Sequence, residues 1–172
     1  MAELTKVLRD DHQRIKRMLD EFNAATPVNK SLALAIVDEL KIHSTIEEEL
    51  FYPLLRDRVD PGQADASEEE HHLMDQLAAT IEETDDDDPD LISTVEQLRT
   101  VVLQHMKVEE ALFPRMSADL TDDLTNLGPA AFRMRQELLQ DVPERSAKPV
   151  GDLLANTGWG GPRRPGLSNA GW

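Results

Sequence analysis

The 172-residue chain contains no cysteine, one tyrosine, two tryptophans and four phenylalanines. Without cysteine there are no disulfides, no thiolate metal sites and no cysteine nucleophile, which fits a cytoplasmic setting. So few aromatics, with little apolar–polar alternation, leave no signal for β-strands. No apolar run approaches the roughly 18 residues of a membrane span. The opening MAELTKVLRDDHQRIKRML has the spacing of an amphipathic helix rather than a signal-peptide core. Positive charge is also scarce: 18 Lys/Arg stand against 34 Asp/Glu, a formal charge of −16. That balance is wrong for a nucleic-acid partner, whose phosphates need a basic face, and for an anionic membrane surface.

Glycine is rare where the chain is regular. Six of the eight glycines and both tryptophans fall after Pro143, in a stretch with four Lys/Arg and two Asp/Glu, so residues 1–142 carry −18. This tail, 143–172, reads as flexible. Within 1–142, proline and glycine are confined to 27, 53, 61–62, 89, 114 and 128–129. Between these marks apolar residues recur at three and four: Leu4, Leu8, Ile15, Leu19 and Phe22; Ile36, Leu40, Leu50 and Leu54; Met74, Leu77 and Ile81; Val95, Leu98, Val102 and Leu112. Ser67 followed by Glu70 reads as a capping box, and Pro89 suits a first helical turn. The expectation is an all-α protein. An antiparallel up-down four-helix bundle over residues 1–120 carries a short accessory helix at 121–142 packed on its outside.

Four of the five histidines interrupt the apolar stripes, one per helix: His12, His43, His71 and His105. A lone histidine in a stripe is usually a satisfied core residue. Four are different, because each unpartnered buried imidazole costs on the order of 1–3 kcal/mol, against a net stability of roughly 5–15 kcal/mol. Two related phrases add carboxylates. HSTIEEELFYP at 43–53 and HMKVEEALFP at 105–114 both place a glutamate four residues after the histidine, so Glu47 and Glu109 share the inward face. DDHQRIKRML at 10–19 and EEHHLMDQLA at 69–78 form a second matching pair. The chain therefore reads as two similar helix hairpins, each giving two imidazoles and one carboxylate to a common centre. The register of the second pair selects His71; its neighbour His72 points about 100° away.

Six donors are too many for one tetrahedral zinc. They suit two first-row ions bridged by both glutamates and capped by two histidines each. Imidazole-rich supply favours iron over manganese, magnesium or calcium. The expected cofactor is thus two iron ions, oxo- or hydroxo-bridged, with positions left for a small exogenous ligand. Residues placed to touch the ligands are Glu48 and Glu110, which follow the ligating glutamates, and Tyr52 and His72. Tyr52 reads first as a packing residue.

His12, His43-x-x-x-Glu47, His71 and His105-x-x-x-Glu109 together resemble the hemerythrin-like, or HHE cation-binding, family of bacterial non-haem di-iron proteins. The resemblance spans about residues 4–117, including the EEELFYP and EEALFP flanks. It implies a bundle around a carboxylate-bridged di-iron centre that binds, senses or consumes dioxygen, nitric oxide or peroxide, linked to oxidative stress and served by an electron-donor protein. Oxygen-carrying members have a third-helix H-x-x-x-H and a fourth-helix H-x-x-x-x-D; here Asp75 and Glu110 stand at those places. With one imidazole fewer, the weight shifts from oxygen carriage toward redox chemistry. Peroxide disproportionation is the alternative reading, and metal storage or a zinc-stabilised bundle a further one. Oligomeric state stays open. A ferritin-like centre needs two Glu-x-x-His pairs, and only Glu68-x-x-His71 supplies one.

Overall fold

The computed structural model describes residues 3–25 and 28–143; the expected flexible tail falls outside them, apart from Pro143. All regular structure among the described residues is helical, with no strand. Helix α1 is Leu4–Ala24 and α2 Lys30–Ile46; α2 runs through a π-helical turn, Glu47–Phe51, into α3, Tyr52–Arg58. After a break at Asp60 come α4 (Pro61–Glu83), α5 (Asp90–Asp119) and α6 (Thr121–Leu138). Around the bundle the order is α1, α2 with α3, α4 and α5, each touching the next and α5 returning to α1. Helix α6 lies across α1, α2 and α5. None of the described helices is long and apolar enough to cross a membrane.

One sequence expectation about a boundary needs correction. Ser67 is not a cap: it is buried inside α4, which starts six residues earlier, where the Asp60 carboxylate accepts from Gln63 N at 3.0 Å. Pro114 lies inside α5 without ending it, on the exposed side of the helix. Pro53 does not end its helix either. The π-turn ahead of it takes up one residue more than an α-turn, with Tyr52 N–H donating to the Glu47 carbonyl five residues back.

The π-turn also changes which side chains face inward. Phe51, Tyr52 and Leu55 are buried, whereas Leu50 and Leu54, expected in the core, are only partly so. The apolar interior is divided in two. One cluster, at the α2 N-terminal end of the bundle, joins Ile15, Leu19, Phe22, Ile36, Leu40, Ile81 and Leu98. The other, at the opposite end, joins Leu4, Leu8, Ile46, Phe51, Leu55, Phe113, Met116 and Leu124. Between them, in each of α1, α2, α4 and α5, stands a buried histidine. These are His12, His43, His71 and His105, with Glu47 and Glu109 buried at the same level.

Candidate metal centre

All four imidazoles point their Nε2 atoms into this polar layer, and the two carboxylates divide it into two groups. His12, His43, Glu47 and Glu109 bring one donor atom each within 4.8 Å of one another, as do Glu47, His71 and His105. Glu47 spans both groups: Oε1 is 3.1 Å from His43 Nε2 and 3.7 Å from His12 Nε2, while Oε2 is 3.4 Å from His71 Nε2. Glu109 Oε2 lies 3.4 Å from both His12 Nε2 and His105 Nε2. Each group of histidines thus comes from one hairpin, α1–α2 or α4–α5, with a carboxylate from each hairpin between the groups.

The donor set fits cations. In the first group His12 Nε2, His43 Nε2, Glu47 Oε1 and Glu109 Oε2 all lack a hydrogen-bond partner. Each such buried atom costs on the order of 1–3 kcal/mol, a cost that one positive ion ligated by all four would remove. Bond lengths near 2.1 Å at right angles set neighbouring donors about 3 Å apart, close to the observed spacing. A chain without thiolates, offering imidazole and carboxylate, matches iron or zinc chemistry better than magnesium.

In the second group a phenol joins the donors. The Tyr52 hydroxyl donates to Glu109 Oε1 at 2.8 Å and lies 2.9 Å from His71 Nε2 and 3.3 Å from His105 Nε2. Sequence reasoning read this residue first as packing, and five positions along an ordinary α-helix would turn it away from Glu47. The π-turn makes five positions about one full turn. The signal was present: HSTIEEELFYP has one residue more than HMKVEEALFP between Phe and Pro, and that residue is Tyr52.

On the far side of each ring, Nδ1 faces a carboxylate from the preceding helix around the bundle. His12 Nδ1 is 3.0 Å from Glu110 of α5, His71 Nδ1 2.8 Å from Glu48 in the π-turn, and His105 Nδ1 2.8 Å from Glu70 of α4. His43 Nδ1 faces Asp11 of α1 at 3.9 Å. Such partners fix the tautomer that leaves Nε2 free to ligate. Glu48 and Glu110 were expected near the rings; Glu70 and Asp11 were missed. Both immediately precede a histidine in the DDH and EEH phrases, so the same repeat that picks out the ligands marks them. His72 takes no part: it is exposed, on the solvent side of α4. Asp75 is also exposed.

Electrostatically the layer attracts positive charge. Burial lowers the proton affinity of His12, yet Glu109 and Glu47 outweigh it and raise its pKa to about 9. At His105 burial is likewise overcome by Glu109 and Glu47, and the pKa rises to about 11. Burial pushes Glu47 and Glu109 up, but the surrounding imidazoles hold both below the usual carboxylate range. Burial and the two glutamates raise Tyr52, so its hydroxyl keeps its proton. Without metal, protons on His12 and His105 balance the two carboxylates, and a metal ion entering must displace them.

Residues 3–116 match the model of the Hemerythrin HHE cation binding domain. The chain is 25% identical over 137 residues to a DNA nickase from Nostoc sp., a match covering 78% of this chain and 39% of that protein. The chain thus corresponds to less than half the length of this curated relative. No solved structure gives a significant match.

Proposed function

The chain belongs to the hemerythrin HHE cation-binding family, and from that premise we propose that it is a non-haem di-iron protein that binds or senses dioxygen, nitric oxide or peroxide. His12 and His43 would hold one iron, His71 and His105 the other, and Glu47 and Glu109 would bridge them. Tyr52 would add an oxygen donor to the His71/His105 position. A reduced iron pair supplies two electrons to a small oxidant, which a single zinc or calcium ion does not. The observation that carries this reading is the set of partnerless buried atoms on His12, His43, Glu47 and Glu109, converging from three helices.

The chain's own residues set the conditions for that chemistry. Apolar side chains on both sides of the layer, among them Ile15, Met106, Ile46 and Phe113, keep water from the donors. Phe113 stacks on the His12 ring with centroids 5.8 Å apart. Glu110, Glu48 and Glu70 at the Nδ1 atoms of His12, His71 and His105 orient those imidazoles and make them better donors. Tyr52 places a protonated hydroxyl 2.8 Å from Glu109. That proton favours a second reading, disproportionation of hydrogen peroxide to water and dioxygen, which consumes and returns protons at the oxygen atoms.

Oxygen evolution from added peroxide by the iron-loaded full chain separates the two. Turnover that disappears in Tyr52→Phe supports the enzyme reading. Near-ultraviolet absorption of an oxidised iron pair, without turnover, supports binding or sensing. Absence of that absorption after iron loading and air exposure refutes both. The likeness to a DNA nickase is weakly at odds with the expectation of no nucleic-acid partner, which stands on the −18 carried by residues 1–142.

A further inference from the structure

The ring of acids around the four histidines is nearly regular, and it is broken at one place. Glu48, Glu70 and Glu110 are partly exposed, with 48%, 37% and 34% of their side chains open to solvent, and each lies within 3.0 Å of its imidazole nitrogen. Asp11 is only 1% exposed and stands 3.9 Å from His43 Nδ1, too far for a hydrogen bond. What distinguishes Asp11 is its other partners. Arg14 Nη1 donates to Asp11 Oδ1 at 2.6 Å and to Glu39 Oε1 at 2.7 Å. Arg135 Nη1 lies 3.3 Å from Asp11 Oδ2, and Arg135 Nη2 pairs with Glu39 Oε1. Arg135 belongs to α6, beyond the residues that match the family model, and is 4% exposed.

Three buried atoms here lack a hydrogen-bond partner: His43 Nδ1, Asp11 Oδ2 and Arg135 Nη1. Asp11 Oδ2 is common to both neighbours, 3.9 Å from the imidazole nitrogen and 3.3 Å from the guanidinium. In a buried, low-dielectric setting each partner of this oxygen weakens its hold on the other. We propose that Asp11 and Arg135 are positioning residues for one of the two metals. Asp11 orients and enriches His43, while Arg135 draws Asp11 away and lowers the cation affinity of the His12/His43 position relative to the His71/His105 position. This rests on the assignment of the two metal positions above. The accessory helix, on this view, makes two quasi-equivalent positions unequal, so that one ion is held firmly and the other more loosely.

The charges give opposite signs for two substitutions. Asp11→Asn removes the negative charge behind His43 Nδ1 and leaves only a neutral, weaker acceptor there. Arg135→Gln removes a positive charge from the same neighbourhood and frees Asp11 to approach His43. Loss of a carboxylate partner behind a ligating histidine weakens metal binding by roughly 10–100-fold. The test is anaerobic titration of the full chain with Co2+ against a competing chelator, followed by the visible bands of the bound ion. Wild type should take up two ions in two resolved steps. Asp11→Asn should weaken one step by about 10-fold or more and leave the other within a factor of about two, and Arg135→Gln should tighten that same step. Glu70→Gln, behind His105, should weaken the other step. Arg135→Lys, which keeps the charge, should stay near wild type.

A purely structural role for Arg135 would loosen both steps together, or lower the melting temperature and leave both steps unchanged; either result overturns the proposal. Should Arg135→Gln fail to fold, Asp11→Asn and Arg135→Lys decide it: an unaltered Asp11→Asn titration, or Arg135→Lys weakening both steps, is fatal. A wild-type chain that binds no Co2+ refutes the metal reading itself. Two ions bound in wild type without a selective shift in the variants refutes only the link from α6.

Discussion

At the scale of single residues, Glu47 touches both histidine groups, with one oxygen 3.1 Å from His43 and the other 3.4 Å from His71. Its loss leaves imidazoles of both groups without their shared acid. Glu47→Ala should therefore cost about one metal equivalent or more and lower the melting temperature of the loaded protein, read by elemental analysis and calorimetry. Glu48→Ala, which removes a half-exposed acid behind His71, should keep both equivalents with weaker affinity. The ligand assignment is wrong if the two variants behave alike. Proton balance gives a second expectation. His12 and His105, raised to about 9 and about 11 in the folded metal-free chain against an ordinary 6.5, contribute stability that is complete below about pH 6.5. That contribution is lost as pH climbs through 9 and then 11. The melting temperature of the chelated protein should fall across this window, and more steeply than that of the loaded protein, whose imidazoles bind metal instead of protons. A flat profile for the chelated chain contradicts the balance. At this scale the sequence spoke clearly where a repeat existed, as with His43/Glu47 and His105/Glu109. It was weaker for Asp11 and Glu70, whose role depends on which helix stands next to which.

Among the elements, the π-turn at Glu47–Phe51 is the feature that sequence periodicity hid. Counting at 3.6 residues per turn carries Leu50 and Leu54 inward and Tyr52 out; the extra residue reverses this, and the sole tyrosine reaches the centre. Comparison of the two phrases gives the cause, a one-residue insertion before Pro53. Deleting Tyr52 should close the π-turn to ordinary α-helix and keep Leu55 facing inward. The variant should retain its helical circular dichroism and Glu47 at the centre, but lose the phenol. Collapse of the helical signal at 25 °C would show that the π-turn has another cause. Helix number and the inward faces of α1, α4 and α5 were legible, since long amphipathic stretches leave few other ways to bury Leu19, Ile81 or Leu98.

For the whole molecule, the family match ends at residue 116, but the buried charges do not. Asp11 and Glu39, each 1% exposed, depend on Arg135 of α6 as well as on Arg14. A chain cut after residue 120 would leave buried carboxylates short of one cation and uncover Leu120 and the apolar surface that α6 covers. Breaking a buried pair in this way costs about 3–5 kcal/mol, so truncation should lower the melting temperature by roughly 10 °C or more, measured by calorimetry on chains 1–120 and 1–142. Equal melting temperatures would mean that α6 is an ornament on the bundle. The larger claim is that an acidic, cysteine-free bundle keeps a polar layer between two apolar clusters because a pair of metal ions ligates it. The most direct test is the iron content of the full chain after anaerobic loading with ferrous iron and removal of unbound metal. The account expects two ions per chain, falling in the Glu47→Ala variant; a wild-type chain that retains none would contradict it.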